Sequence, residues 1–499
     1  MNKLLNSMQE ASNYAYTENG GLTHKSTMSG LMDMFAFGGA YRKRDDADCI
    51  LLFKKALNEN EALAMKCLFY LRDVRGGQGE RRFFRVCMNW LAKEHTEIAA
   101  RNLPYIAEYG RYDDYYLFVD TPLEEAMFSF LKHQLALDVE CKTPSLLAKW
   151  LKSENTSSAD SRRLAYKTRE AFGMTPKGYR KTLSVLRERI RVLERLMSEN
   201  RWDEIEFDKI PSKAGMMYRN AFARRDVIKA KYEKFAKDKT TKVNAGTLYP
   251  CDVVYQARFE FHKSFDDTNR LMVNKYWDSL NDYFNGATFD GVAVVDTSGS
   301  MTGWNSSEIA PIDVAIALGM YCAENCGEYS PWHGYYITFS RQARLVPIEG
   351  IDFVDKVKRI VSANLCENTN IESVFDLILS LAVKNHIPNS EMPKNIVIVS
   401  DMEFDKARRA GFWDHGSVPE IETVMEKCMK RYTDAGYTLP HLVFWNVDAR
   451  NNSIPMHDNG NVTFVSGYSP ILFEQIMTGK TGLDLILDKL NSERYAVIH

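Results

Sequence analysis

Asp296, Ser298 and Ser300 place one carboxyl and two hydroxyl side chains within five residues, directly after the apolar run Val292-Ala293-Val294-Val295. A short apolar run bounded by polar turn residues reads as a buried strand of a parallel sheet. The turn beyond it, Asp296-Thr297-Ser298-Gly299-Ser300, has the form Asp-x-Ser-x-Ser and crowds oxygen donors onto one point. Oxygen-only donors suit a hard divalent cation, Mg²⁺ first, with Mn²⁺ or Ca²⁺ as substitutes. A second run, Ile396-Val397-Ile398-Val399-Ser400, leads into Asp401, which puts another carboxylate at a strand end. In open parallel sheets, ligands bind beyond the carboxyl ends of the strands, at the point where strand order reverses.

A different chemistry is written in the charge pattern. The formal net charge of −2 hides 24 Lys and Arg against 13 Asp and Glu in residues 151–250, and 18 against 29 in residues 271–499. A basic region of that excess is a candidate for a polyanion partner, with a solvated helical face as the plainer alternative. Over Thr182–Met197, Leu183, Leu186, Ile190, Leu193 and Met197 share one helical face, and Arg187, Arg191 and Arg195 form a ridge on another. Glu188, Glu194 and Glu199 interrupt that ridge and offer internal salt bridges. A second basic tract runs from Arg224-Arg225 to Lys242, with Ile228, Tyr232 and Phe235 still at helical spacing. Arg72, Arg75, Arg81 and Arg82 surround the glycine turn Gly76-Gly77-Gln78-Gly79; they could grip phosphates or pair with acids in a structural corner.

These residues must be positioned by two kinds of architecture. From about residue 45 to 240, amphipathic segments such as Asp48–Leu57, Glu59–Leu71, Glu80–Lys93 and Leu123–Leu137 predict consecutive helices, stacked in the manner of HEAT or armadillo repeats. Near Asn285-Gly286 the grammar changes to alternating strands and helices. Strands are expected at Gly291–Asp296, Gly334–Phe339, Asn395–Ser400, His441–Trp445 and Val462–Val465. Helices are expected at Pro311–Glu324, Phe353–Ala363, Ile371–Lys384 and Glu420–Asp434, with a terminal pair. That alternation predicts a parallel sheet covered on both faces. The fold class is therefore α plus α/β, with a helical-repeat domain over residues 1–284 and a doubly wound, mostly parallel-sheet domain over 285–499. Nine dispersed cysteines, with Cys322 and Cys326 as core thiols, favour a reducing, cytoplasmic setting, and no apolar stretch is long enough to span a membrane.

Asp-x-Ser-x-Ser, then a threonine in Cys366-Glu367-Asn368-Thr369-Asn370-Ile371, then Asp401 at the end of a strand resembles the metal-ion-dependent adhesion site of von Willebrand factor A domains. The resemblance covers some 210 residues and includes Val462-Thr463-Phe464-Val465-Ser466-Gly467. It implies that Ser298, Ser300 and Thr369 are hydroxyl ligands, that Asp296 and Asp401 hold the ion directly or through water, and that an acidic group of a partner completes the shell.

An A domain behind a basic helical domain resembles the Ro autoantigen class, in which a ring of HEAT-like helices, the TROVE module, binds RNA. The stretch Lys167-Thr168-Arg169-Glu170-Ala171-Phe172-Gly173-Met174-Thr175-Pro176-Lys177 is similar to that family's Lys-x-Arg, Gly, apolar, Ser/Thr, His, basic pattern, with Pro176 where the family has His. The resemblance and the local charge nominate Lys149, Arg162, Arg163, Lys167, Arg169, Lys177, Arg180, Lys181, Arg187 and Arg191 as phosphate-binding residues, with Tyr166 and Tyr179 available to stack on bases.

The expected function is non-enzymatic binding of structured or single-stranded RNA. The alternative is a metal-dependent protein–protein scaffold with no RNA role. No second carboxylate cluster and no Ser-His-Asp or Cys-His order supports hydrolysis, and His333, His386, His415, His441 and His457 have no ligand spacing along the chain.

Overall fold

The computed structural model describes residues 3–259, 267–302, 308–338, 342–363, 369–405, 423–458, 460–477 and 479–499. The loop residues 366–368 ahead of Thr369, and His415, lie outside the described residues.

The chain divides into two compact units, Met1–Cys67 with Leu248–Glu493, and Leu68–Thr247 with Arg494–His499. This division does not coincide with the change of sequence pattern near residue 285, because helices at both ends of the helical stretch pack into the α/β unit. Ser466 Oγ donates to the carbonyl of Phe35 at 2.9 Å and accepts from the amide of Gly39 at 3.0 Å. Helix Pro250–Phe259 packs on helix Pro311–Glu324, and the Arg258 guanidinium meets the buried Asp313 at 2.8 Å.

In the α/β unit a short hairpin of β1 (Tyr14–Tyr16) and β2 (Leu22–His24) precedes the sheet. The sheet consists of β3 (Gly291–Val295), β4 (Tyr335–Thr338), β5 (Arg344–Pro347), β6 (Asn395–Ser400), β7 (His441–Asn446) and β8 (Val462–Ser466), in spatial order β5-β4-β3-β6-β7-β8. All pairs are parallel except β4 with β5. The edge strand β5 was not foreseen, since its exposed Arg344 and Leu345 lack the apolar run that marked the others. The chain starts at β3, moves outward to β4 and β5, then returns to place β6 on the other side of β3. Right-handed crossovers on the two sides of such a start put helices on opposite faces, which is double winding. Helices Pro311–Glu324, Phe353–Ala363 and Ile371–Lys384 occupy the predicted spans. Gly319 packs so closely that a Cβ there would lie 2.3 Å from Val295 Cγ2.

The second unit is helical: Arg82–Glu94, Glu124–Glu140, Ala159–Phe172, Pro176–Arg189, Ser212–Arg224 and Asp226–Lys237 are its longer elements. Glu80 is a cap and not a helical residue, its carboxylate accepting from the amides of Arg82 at 2.9 Å and Phe83 at 3.3 Å. The single helix expected over Thr182–Met197 is interrupted. Helix Pro176–Arg189 ends in a reversal in which the amides of Arg191 and Val192 donate to the carbonyls of Glu188 and Arg187, with Arg191 at φ 49°, before Leu193–Ser198 resumes. The β-branched pair Ile190 and Val192 has weak helix propensity there, so the reversal competes well. Among the described residues no helix is long and apolar enough to cross a membrane.

Replacing Gly319 by Leu should overpack the contact with β3 and cost about 1–3 kcal/mol. Urea denaturation should show the midpoint falling without a change in slope.

Candidate functional site

The reversal of strand order sets the site. Because Val295 pairs with Val399, Asp296 comes to lie beside Ser400, and the Asp296 amide donates to the Val399 carbonyl at 3.1 Å. Asp296, Ser298, Thr369 and Asp401 are buried, while Ser300 is exposed. Asp296 Oδ1 accepts from the Ser298 amide at 2.9 Å and Oδ2 from Ser400 Oγ at 2.6 Å. Ser298 Oγ and Ser300 Oγ stand 3.0 Å apart. Burial first, and the neighbouring Asp401 second, push the Asp296 carboxyl up to about 7. A carboxyl raised by burial and by a neighbouring carboxylate creates demand for positive charge.

That demand is met in part by a residue the sequence reading missed. Arg450 Nη2 donates to Asp401 Oδ2 at 2.6 Å, while Asp401 Oδ1 accepts from the Glu403 amide at 3.2 Å. The same guanidinium reaches Glu18 at 2.7 Å. Met402, between the two acids, sits at φ 64°, a conformation costly for a non-glycine residue.

Thr369 enters through a second device. Its hydroxyl accepts from Asn19 Nδ2 at 2.7 Å and lies 3.0 Å from the Glu403 carbonyl and 3.1 Å from Asp405 Oδ1, either of which can take its single proton. Asn19 also donates to the Glu403 carbonyl at 2.6 Å, Thr17 Oγ1 to the Phe404 carbonyl at 2.6 Å, and the Glu18 amide to the Glu403 carboxylate at 2.6 Å. The turn joining β1 to β2 is thus a strap over the loop after β6. Gly21 permits it, since a Cβ there would lie 2.6 Å from the Phe404 carbonyl oxygen. Nothing in the types or spacing of residues 17–21 announced this contact, which joins segments far apart in the chain.

The cations nominated for phosphate binding fall into three groups. Arg187 is structural: it donates to the carbonyls of Ala148 and Leu151 at 2.8 Å each and to Ser153 Oγ at 2.9 Å. Arg169, only 11% exposed, is locked to Glu154 and Glu170 at 2.8 Å each. Arg163 and Lys167 pair with Asp120 at 3.1 and 2.7 Å, Lys167 also with Glu124 at 2.9 Å, and Arg191 with Glu206 at 3.4 Å. Those pairs are open to water and weak enough for a phosphate to displace. Arg162 bonds the carbonyls of Thr156 and Ser157, Arg180 makes a 3.5 Å contact with Glu154, and Lys149 lies over the Trp150 ring. Lys177 and Lys181 are exposed and have no acidic partner among the described residues.

Ser158 and Thr175 cap the two helices that carry this surface, Gly173 ends the first at φ 68°, and Pro176 occupies the first turn of the second, where its missing amide costs nothing. Tyr179 is core, its hydroxyl donating to the Lys152 carbonyl at 2.8 Å, whereas Tyr166 is 56% exposed.

The arginine turn divides likewise. Arg72 is buried against Asp114 at 2.6 Å, which Arg85 also meets at 2.6 Å. Arg81, not among the nominated residues, lies near Arg111, Arg72 and Arg85; partial burial and then their charges lower its pKa to about 10.

A helix-rich unit together with a mostly parallel six-stranded sheet is a Ro-like architecture. The crystal structure of the Deinococcus radiodurans Ro (RSR) protein matches with a TM-score of 0.53 over 91% of this chain and 100% of that one, at 14% identity, a likeness of fold. By sequence, the chain belongs to the family of the domain of unknown function DUF2828, whose model matches residues 17–118 and 136–285. Residues 290–493 match a further domain of unknown function, DUF7788. The uncharacterized protein L728 of Acanthamoeba polyphaga mimivirus is 32% identical over 517 residues, covering 94% of this chain and 85% of the relative.

Arg187→Ala should leave three acceptors without a charged donor and cost about 2 kcal/mol of stability. Thermal melting of the purified protein checks this: a variant that melts like wild type would reassign Arg187 from scaffold to surface.

Proposed function

We propose that this protein is a non-enzymatic RNA-binding protein of Ro type, whose α/β unit holds a divalent cation at an adhesion-type site. The observation that carries the metal half is the pair of buried carboxylates Asp296 and Asp401 at the reversal of strand order, with paired serine hydroxyls beside them. This donor set fits Mg²⁺ or Mn²⁺. Asp296, Ser298 and Ser300 would hold the ion with Asp401, and Thr369 would join from the strapped loop. When bound, the ion supplies a Lewis-acidic position open to an acidic group of a partner. The chain's own part is to keep Asp296 oriented through Ser400 and to neutralise Asp401 through Arg450.

The RNA half rests on the Ro-like fold and on Lys149, Arg162, Lys177 and Lys181, which have no acidic partner among the described residues, with Arg180 held to Glu154 only at 3.5 Å and Arg81 flanked by other arginines. Binding there would run mainly through phosphates and weaken steeply with salt. The local pairing of Lys167, Arg169 and Arg187 favours the second reading, a protein–protein scaffold. The two part on whether the purified protein carries RNA that salt releases.

Asp296→Ala should abolish Mn²⁺ binding in calorimetry and leave the helical unit folded. Because the ion must replace a proton on a carboxyl raised to about 7, wild-type affinity should fall as pH drops below that value, by roughly tenfold per unit. A pH-independent affinity would show that Asp296 is not a ligand.

Reversing the charge of Lys177 and Lys181 together should weaken RNA binding across unrelated sequences and lower the slope of affinity against salt by about two. Filter binding at several salt concentrations reads both quantities, and an unchanged slope would move the RNA surface elsewhere.

A further inference from the structure

Three residues far apart in the sequence meet in the α/β unit, on elements other than the two strands that lead into Asp296 and Asp401. We propose that His24, Glu426 and His457 form a second metal site, one that takes a borderline transition-metal ion of the zinc type. A ligand atom from each lies within 4.8 Å of the others. His24 Nε2 is 3.2 Å from Glu426 Oε1, and the two imidazole rings lie 3.9 Å apart, tilted by 37°.

Three elements hold these ligands in place before any ion arrives. His24 ends β2, and its amide and carbonyl bond those of Ile454 at 3.0 and 2.9 Å. That bridge fixes the backbone three residues ahead of His457. Glu426 stands in the first turn of helix Val424–Asp434, its Oε2 accepting from the Thr423 amide at 2.7 Å in a capping box. The second carboxylate oxygen is thereby aimed at His24 and at the His457 amide, 3.3 Å away.

A separate observation points to a ligand. The His24 side chain is fully buried, and its Nδ1 has no hydrogen-bond partner among the described residues. A buried imidazole that keeps one nitrogen unsatisfied carries a desolvation cost. Coordination through Nε2, the nitrogen beside Glu426, would offset that cost and leave Nδ1 carrying the ring's single proton.

The donor set decides the metal. Two imidazoles and one carboxylate suit Zn²⁺ and its neighbours, whereas Mg²⁺ prefers oxygen alone. Three protein ligands leave a fourth position, and the exposure of His457 opens it to water. The ion would fasten the β1–β2 hairpin to the loop between β7 and β8 and to the helix that carries Glu426. This does not depend on the RNA reading or on the oxygen site.

The test uses the full chain, stripped with chelator and titrated with Zn²⁺ in excess Mg²⁺, which fills the oxygen-only site. Wild type should bind Zn²⁺ tightly and melt at a higher temperature with it. His457→Ala removes an exposed side chain and should melt like wild type without metal, bind Zn²⁺ at least tenfold more weakly and lose the rise in melting temperature. Glu426→Gln, which keeps the cap's shape, should weaken binding in the same direction. Co²⁺ in wild type should give the ligand-field absorption of a nitrogen-ligated tetrahedral ion, which His457→Ala removes. Equal Zn²⁺ affinity in wild type and both variants, or no binding by wild type, would overturn the proposal.

Discussion

Two carboxylates buried side by side at the carboxyl ends of adjacent parallel strands are the constraint around which the α/β unit is arranged. Removing each from water costs several kcal/mol, and their repulsion in a low-dielectric crevice adds to it. A hydrogen bond to a charged group returns about 1.5–3 kcal/mol. Asp296 receives two, from Ser400 and the Ser298 amide, and Asp401 receives two, from Arg450 and the Glu403 amide. Those bonds offset only part of the cost, so burial first and the Asp401 charge second still push the Asp296 carboxyl up to about 7. A proton at low pH relieves that residual energy, and at higher pH a bound cation would relieve it in the same way.

The same constraint explains why the first residues of the chain belong with the sheet. The loop after β6 carries Asp401, Glu403 and Asp405 within five residues, with Met402 in a left-handed conformation. Such a loop needs donors. The strap supplies them through the Glu18 amide, Asn19 Nδ2 and Thr17 Oγ1, and Glu18 balances the far side of Arg450. Asn19 bonds both the Glu403 carbonyl and the Thr369 hydroxyl, so it couples the Thr369 loop to the loop after β6. A compact unit assembled from residues on both sides of the helical segment follows from these contacts.

Periodicity made most of the α/β half legible. Ile396–Val399 is apolar without interruption because both faces of β6 are covered, and Pro311–Glu324 begins on a proline at the one position where a helix favours it. The edge strand β5 was illegible because one neighbour and open solvent impose little on its side chains. Within the site, the aspartates and serines lay on one turn or at a strand end and could be read directly. Arg450, Asn19 and Ser400 could not, since each acts across a tertiary contact. The helical half misled in one place. The four-residue recurrence of Arg187, Arg191 and Arg195 looks like a ridge only if the helix continues, and the reversal at Arg191 sends the three side chains to different work.

That outcome bears on how a basic segment should be judged. An excess of cations counts toward a polyanion surface only after the cations that hold the fold are removed from it. Arg187 satisfies carbonyls of the segment that precedes helix Ala159–Phe172, and Arg169 is tied to two glutamates with little exposure. A phosphate would have to replace those bonds at equal geometry, with no gain from releasing ordered counterions. Lys177 and Lys181, one turn apart on an exposed helix face, have no such obligation. Arg81 has Arg111, Arg72 and Arg85 as neighbours, set against Asp113, and their charges favour an added anion there. The polyanion reading therefore moves away from the dense centre of the basic tract and onto residues that the fold leaves unspent.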